Sequence, residues 1–268
     1  MKHCLKYKVI IAAAALALSG CSMDILDNYP NGNGEFITAF GTISSNDSQY
    51  TITLDDKSLL YIDYLGSQTS WEEVRNSVDT QNGRVFFNYS VIDSNQTTVP
   101  VTSTVRLNKF YSLLVKPVVR MSTLSDAERA ELGNEPIKAV SANIGGGYVN
   151  LCLSYLYNLT DIETLVHRVN LVMDDVNYDD GDIHLVLYHH SQSPADYNTA
   201  STTTMWASFG TGDLIPSDRN NAIKLYWSWY DNNGKLTQYS DLAIFKPYAT
   251  LGQSVTFTGD QPWQIFVE

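Results

Sequence analysis

The stretch Ser58–Ile92, SLLYIDYLGSQTSWEEVRNSVDTQNGRVFFNYSVI, carries the pattern from which the fold is read. It opens with Ser58–Tyr64 and closes with Gly83–Ile92, two apolar runs of strand length. Between them stands Ser70-Trp71-Glu72-Glu73, a capping box. In that motif the serine hydroxyl accepts from the third helical amide, and the glutamate there reaches back to the cap's own N–H. A helix is therefore predicted after Ser70, with a strand on either side.

Working outward, Glu35–Ser45 and Gln49–Leu54 precede the stretch and Thr104–Val115 follows it. Each alternates or runs apolar over strand length, and turn clusters such as Ser44–Asp47 and Gln81–Gly83 separate them. Five strands with a helix between the third and fourth is the topology of an OB barrel, predicted here over residues 35–118. A second capping box, Ser125-Asp126-Ala127-Glu128, leads to a stop at Gly133-Asn134 before Pro136. It places a short helix in a connector over 119–136.

From 137 to 268 further strand runs are expected: Gly147–Tyr157, Glu163–Asp174, Ile183–His190, Thr204–Phe209, Ala222–Tyr230, Leu236–Phe245 and Ser254–Thr258. Asp231-Asn232-Asn233-Gly234 is a hairpin signal between two of them. Seven or so short strands with regular turns suggest a β-sandwich. The chain is thus expected to be all-β, a five-stranded OB-like barrel followed by a β-sandwich.

The N-terminus reads as an address. Lys2, Lys6 and Lys8 precede the apolar run VIIAAAALAL, Val9–Leu18, and Leu18-Ser19-Gly20-Cys21 follows. Basic residues, a short apolar core and small residues before a cleavage point make residues 1–20 a secretory signal. As a helix the apolar run rises only about 15 Å, half of a hydrocarbon core. The tetrapeptide ending at Cys21 looks like a bacterial lipobox, whose cysteine becomes the lipid-bearing (diacylglyceryl, then commonly palmitoylated) N-terminus. Residues 22–34, SMDILDNYPNGNG, are poor in core formers and read as a flexible tether. With Cys4 lost and Cys21 acylated, Cys152 stands alone and no internal disulfide is expected. Its strand gives it no evident base, so a packing role is preferred to a catalytic one.

The net charge of −12 becomes −15 once three lysines leave with the signal. Residues 30–120 carry seven Lys/Arg and nine Asp/Glu, whereas residues 121–268 carry seven and eighteen. An acidic surface repels phosphate backbones, which argues against a nucleic-acid partner.

Several stretches together resemble the NigD-like lipoproteins of Bacteroidetes. They are the lipobox start, Asn82–Ile92 (NGRVFFNYSVI), Val105–Leu114 (VRLNKFYSLL), Leu132–Ile137 (LGNEPI) and Ile144–Leu151 (IGGGYVNL). The resemblance covers most of the mature chain and thins beyond Ser191. It implies an OB domain joined to a C-terminal β-sandwich in an outer-membrane lipoprotein, and it implies no particular molecular activity. Ser22-Met23 stands where acidic runs after the lipidated cysteine resemble surface-export signals, so surface and periplasmic orientations both stay open.

Candidate chemistry is sparse. From Asp175 the run Asp174–Asp182 begins like a calcium loop, but Asp180 stands at the glycine position and Val186 at the final glutamate. It is read as a polar hairpin turn with its charges in water. His184 and His190 share a strand face that His189 does not, so the three are read as strand-end surface residues without a metal. Ile144–Gly147 lacks the lysine and spacing of a phosphate loop and reads as a tight turn. Trp206, Trp227, Trp229, Tyr226 and Tyr230 are the candidate ligand contacts, since exposed aromatic rings stack on sugar C–H faces. Trp227 and Trp229 share parity with Ile223 and Leu225, which makes core packing their alternative. The expected function is a non-enzymatic envelope module, without cofactor, binding an envelope protein or glycan. A glycan hydrolase using Asp174–Asp182 with Glu163, or a subunit of a surface fibre, are the alternatives.

Overall fold

The computed structural model describes residues 36–46, 49–94, 101–157, 167–178, 180–191, 200–215, 223–243 and 255–256. Five strands, β1 (Phe36–Asn46), β2 (Gln49–Leu54), β3 (Leu59–Leu65), β4 (Arg84–Ser94) and β5 (Thr102–Tyr111), close into a barrel in the order β1-β2-β3-β5-β4. Only β3 and β5 pair in parallel, because helix α1 (Trp71–Asp79) carries the chain across between β3 and β4. Both halves of its capping box form: Ser70 Oγ accepts from the Glu73 amide at 3.2 Å, and Glu73 Oε2 accepts from the Ser70 amide at 3.0 Å. The helix directs Val74 into a barrel core that contains Ile52, Phe87, Val105 and Leu107.

Two five-stranded sheets follow. Their strands are β6 (Leu113–Pro117), β7 (Val119–Arg120), β8 (Ile137–Gly145), β9 (Tyr148–Tyr157), β10 (His167–Met173), β11 (Ile183–Ser191), β12 (Ser201–Gly210), β13 (Ile223–Tyr230), β14 (Leu236–Ala243) and β15 (Val255–Thr256). One sheet runs β15-β8-β9-β12-β6 and the other β14-β13-β11-β10-β7. Leu151, Leu153 and Phe209 of the first meet Leu171, Leu185, Leu225 and Trp227 of the second, which forms the sandwich core.

The outer face of the second sheet is covered by the connector. Its short helix α2 (Asp126–Ala130) carries the second capping box, Ser125 with Glu128. Around it, Met121 and Leu132 bury Val172 of β10. Asn134 Oδ1 accepts from Ser228 Oγ of β13 at 3.0 Å.

Three expectations change. The run expected as one strand over Thr104–Val115 is two, and the chain leaves the barrel at Ser112 instead of 118. Leu113–Pro117 pairs with β12 in the sandwich, so Ser112 alone separates the last barrel strand from the first sandwich strand. Among the described residues the sandwich has ten strands rather than about seven. One unforeseen strand is β8, whose register shift between Ala139 and Ser141 breaks the alternation that would reveal it. Finally, Cys152 is wholly buried on β9. Cys4 and Cys21 lie outside the described residues, as do residues 158–166, including Glu163.

Candidate functional site

Polar and aromatic side chains converge at two places, the junction between the domains and the outer face of β11 and β13. At the junction, Arg84 begins β4 beside the sandwich with its side chain fully buried. Its guanidinium donates to Asp55 Oδ1 at 2.6 Å and Oδ2 at 2.8 Å, from the turn after β2. It also donates to Ser208 Oγ of β12 at 2.9 Å and to Asn150 Oδ1 of β9 at 2.8 Å. Asn150 Nδ2 then reaches Asp55 Oδ2 at 2.8 Å and Asn143 Oδ1 at 2.6 Å. The Tyr148 ring lies 4.3 Å from the guanidinium carbon. A buried charge is tolerable only when paired and hydrogen-bonded, and this one is both.

The predicted turn at Ile144–Gly147 completes the junction. Gly146 (φ +59) and Gly147 (φ +83) link the paired residues Gly145 and Tyr148, as a two-residue hairpin with positive φ at both centres. A Cβ on Gly146 would lie 2.5 Å from Asp55 Oδ1, so the carboxylate sits where only glycine leaves room. Trp206 belongs here too. Its ring is 4.3 Å from Phe86 and 5.8 Å from Phe40, both on the barrel, so it packs between the domains.

On the outer face of β11 and β13, Tyr178 lies flat on His184 with ring centroids 3.9 Å apart, and Tyr226 adjoins both. His184 Nδ1 bonds the Tyr226 hydroxyl at 2.9 Å and Nε2 bonds Asp180 Oδ1 at 2.8 Å. The Lys224 ammonium bridges Asp180 at 3.0 Å and Asp182 at 2.8 Å. Hydrogen bonds from His184 and Lys224 hold the Asp180 carboxyl well below its ordinary range. Desolvation, followed by the Tyr178 hydroxyl, pushes the Tyr226 phenol up to about 12. Ligand atoms of Asp180, Asp182 and His184 lie within 4.8 Å of one another, a spacing that could hold a cation. In the structure the Lys224 ammonium supplies positive charge to both carboxylates.

The other predicted residues are placed as follows. Trp227 is only 2% exposed in the sandwich core and offers no ring face to a ligand. Trp229 is half-buried against that core, and Tyr230 is half-buried at the end of β13. Tyr226 joins the cluster by its direct hydrogen bond to His184 and by its ring contact with Tyr178, a residue the sequence reading did not single out.

His184 and His189 are buried, not strand-end surface residues. His189 Nδ1 donates to the Pro136 carbonyl at 3.2 Å, which leaves Nε2 to accept from His167 Nδ1 at 2.9 Å. Desolvation, then the neighbouring His167, lowers the His189 imidazole to about 4.

Nor do the first acids of the 174–182 run stand in water. Asp174 is buried and accepts from the amides of Val176 and Asn177. Asp175 accepts from the Ser122 amide at 2.9 Å, which ties the hairpin to the connector. The sequence signal for these roles was the Asp-x-x-Asn spacing of an Asx turn; nothing local announced Ser122 or Lys224.

Comparison with known proteins gives a family for the sandwich. Residues 120–240 match the family model described as the NigD-like C-terminal β-sandwich domain, which bears out the resemblance read from the sequence over that region. The fold is similar to that of a solved protein from Parabacteroides distasonis described as toxin-related, at 17% identity and TM-score 0.54, covering 80% of this chain and 95% of that one. A protein of unknown function from Bacteroides vulgatus is similar at 17% identity and TM-score 0.55, covering 78% and 91%. A NigD-like immunity protein from Bacteroides caccae aligns at 19% identity and TM-score 0.49, covering 79% and 93%. No curated protein matches the chain.

Proposed function

We propose that this chain, with its NigD-like C-terminal domain, is a lipid-anchored envelope protein acting as a non-enzymatic binding module for an envelope protein or glycan. Cys21 is the lipid attachment site and the outer membrane the anchoring surface. The observation that carries the reading is how the acids, imidazoles and buried cation at the junction and around the 174–182 run are used. Asp55 neutralises Arg84, Asp174 and Asp175 cap turns, Asp180 and Asp182 share Lys224, and His189 links Pro136 to His167. A general acid or base must exchange protons with a substrate, and groups saturated by the fold are poorly suited to do so. A glycosidase additionally needs two carboxyls facing one another across a cleft. Asp180 and Asp182 instead lie together on one lysine.

The test is affinity capture of the membrane-anchored protein from its native cells, with identification of what it retains. A specific envelope protein or glycan recovered with it supports the proposal. Turnover of an envelope polysaccharide by the purified chain, with no partner retained, overturns it. Metabolic labelling with an alkyne fatty acid tests the anchor: label lost on Cys21→Ser supports lipidation, and label unchanged in that variant refutes it.

A further inference from the structure

We infer that a cleft on the outer wall of the barrel binds an uncharged, hydroxyl-rich sugar chain, an inference that rests on the glycan-binding form of the function proposed above. The cleft has a volume of about 350 Å³ and is lined by Gln49, Tyr61, Ile62, Asp63 and Thr104. Three adjacent barrel strands, β2, β3 and β5, supply those residues.

Strand register brings these side chains together. Ile62 is buried in the barrel core, so alternation turns Tyr61 and Asp63 to the outside. Tyr61 pairs with Thr51 of β2 on one side and with Thr104 of β5 on the other. Continuing the β2–β3 register by two residues brings Gln49 opposite Asp63. On the β5 side Ile62 pairs with Val105 and Tyr64 with Arg106, which leaves Asp63 as the extra residue of a bulge. A bulge re-aims side chains, and here two consecutive residues project outward. Asp63 is exposed and Tyr64 is 59% exposed. Gln49 begins β2, whereas Asp55 follows its last residue, Leu54. Those six residues span about 20 Å of strand, so the cleft lies away from the Arg84–Asp55 junction.

The lining chemistry selects the class of ligand. Asp63 is the one lining residue that is charged at neutral pH. A phosphate or uronate seated there would meet a like charge, and no lining cation would offset it. An uncharged polyol meets no such penalty. A carboxylate beside an amide can accept from one hydroxyl of a pyranose ring and donate to its neighbour. The half-buried Tyr61 ring supplies an apolar face for the sugar C–H groups, and its hydroxyl adds a polar tip. The volume is at the small end of ligand sites, which suits a short run of sugar units. A stable protein interface needs about 1,000 Å² or more. Tyr64, beyond Asp63 on β3, offers a second ring to the next unit of the chain.

The test uses the full mature chain in a detergent without a sugar headgroup. Saturation-transfer NMR and titration calorimetry are run with maltohexaose, cellohexaose, laminarihexaose and mannohexaose. We expect at least one of these neutral sugars to bind. Tyr61→Ala should weaken that binding at least tenfold, while Tyr61→Phe, which keeps the ring, stays within threefold of the unaltered chain. Asp63→Ala should weaken it at least fivefold. If Tyr61→Ala misfolds, Asp63→Ala decides, since it alters an exposed bulge residue. Failure of all four sugars to bind overturns the inference, and so does binding that both alanine variants leave unchanged. Capture of an envelope protein, or of a glycan that Tyr61→Ala still retains, would sink this site while leaving the function proposed above in place.

Discussion

Arg84 and Asp55 form a two-pronged ion pair, at 2.6 and 2.8 Å, on the barrel side of the domain junction, and the sandwich supplies the remaining acceptors. The pair is intrabarrel in sequence terms, yet it is dry only because Asn150, Ser208 and Tyr148 cover it. Breaking a buried pair from one side leaves an uncompensated charge, which typically costs about 3–5 kcal/mol. Arg84→Met should therefore lower unfolding free energy by roughly that amount in urea titrations. It should also expose the Gly145–Tyr148 turn to hydrogen exchange before the strands on either side. A loss below about 1 kcal/mol, the range of exposed pairs, would mean that water reaches the pair.

The glycine turn should rank its own substitutions. Gly146→Ala meets both a left-handed backbone and a Cβ position 2.5 Å from Asp55, whereas Gly147→Ala meets the backbone strain with nothing within 4 Å. The second should cost about 1–2 kcal/mol, the usual strain of an L-residue there. The first should cost more, and thermal unfolding of the two variants side by side gives the order.

Acid should weaken the fold through His189. Burial lowers its imidazole to about 4 in the folded chain, whereas the unfolded chain titrates near 6.5. Between those values the unfolded state binds more protons, so stability is retained above about pH 6.5 and falls as pH drops toward 4. The loss from pH 7.5 to 5 is on the order of 2 kcal/mol. His189→Phe should flatten that part of the pH profile; an unchanged profile would place the acid sensitivity elsewhere.

Trp227 and Trp206 separate core from junction. Trp227→Ala should cost about 3–5 kcal/mol by emptying the sandwich core. Trp206→Ala should act chiefly on the barrel–sandwich contact, read as increased proteolysis near Ser112. Retention of a captured glycan partner that fails in Trp206→Ala, with the junction intact, would return Trp206 to the list of ligand contacts.

The first cap is the simplest case. Ser70→Ala removes the side-chain acceptor of α1 and should cost about 1 kcal/mol in denaturant titrations. No change would mean that burial of Val74 alone holds the helix in place.

How far the sequence could be read follows from the range of the forces involved. The capping boxes at Ser70 and Ser125, the Asp231–Gly234 hairpin and most strand runs were legible because each is fixed within a few residues by hydrogen-bond geometry and side-chain period. β8 was not, because its bulge resets the alternation partway along. The boundary at Ser112 was hidden by strand chemistry continuing through it. The burial of His184 and His189 was hidden as well, since alternation tells which residues share a face but not what covers that face. Here Tyr178 covers His184 on the outer face, while His189, on the opposite face, is buried beside Tyr155 and His167.

The barrel's strand–helix order, a strand-rich second domain, the uneven acidic charge and the lipobox-like start at Cys21 are all legible in the chain as written. These depend on local pattern and composition, which need no knowledge of distant neighbours. That Arg84, Asp55, Asn150 and Ser208 meet, that Trp206 lies between domains while Trp227 is core, and that Lys224 sits between Asp180 and Asp182 emerges with folding. Those contacts join residues far apart along the chain. Their partners are selected by strand register and sheet packing, whose consequences are not written in any one segment.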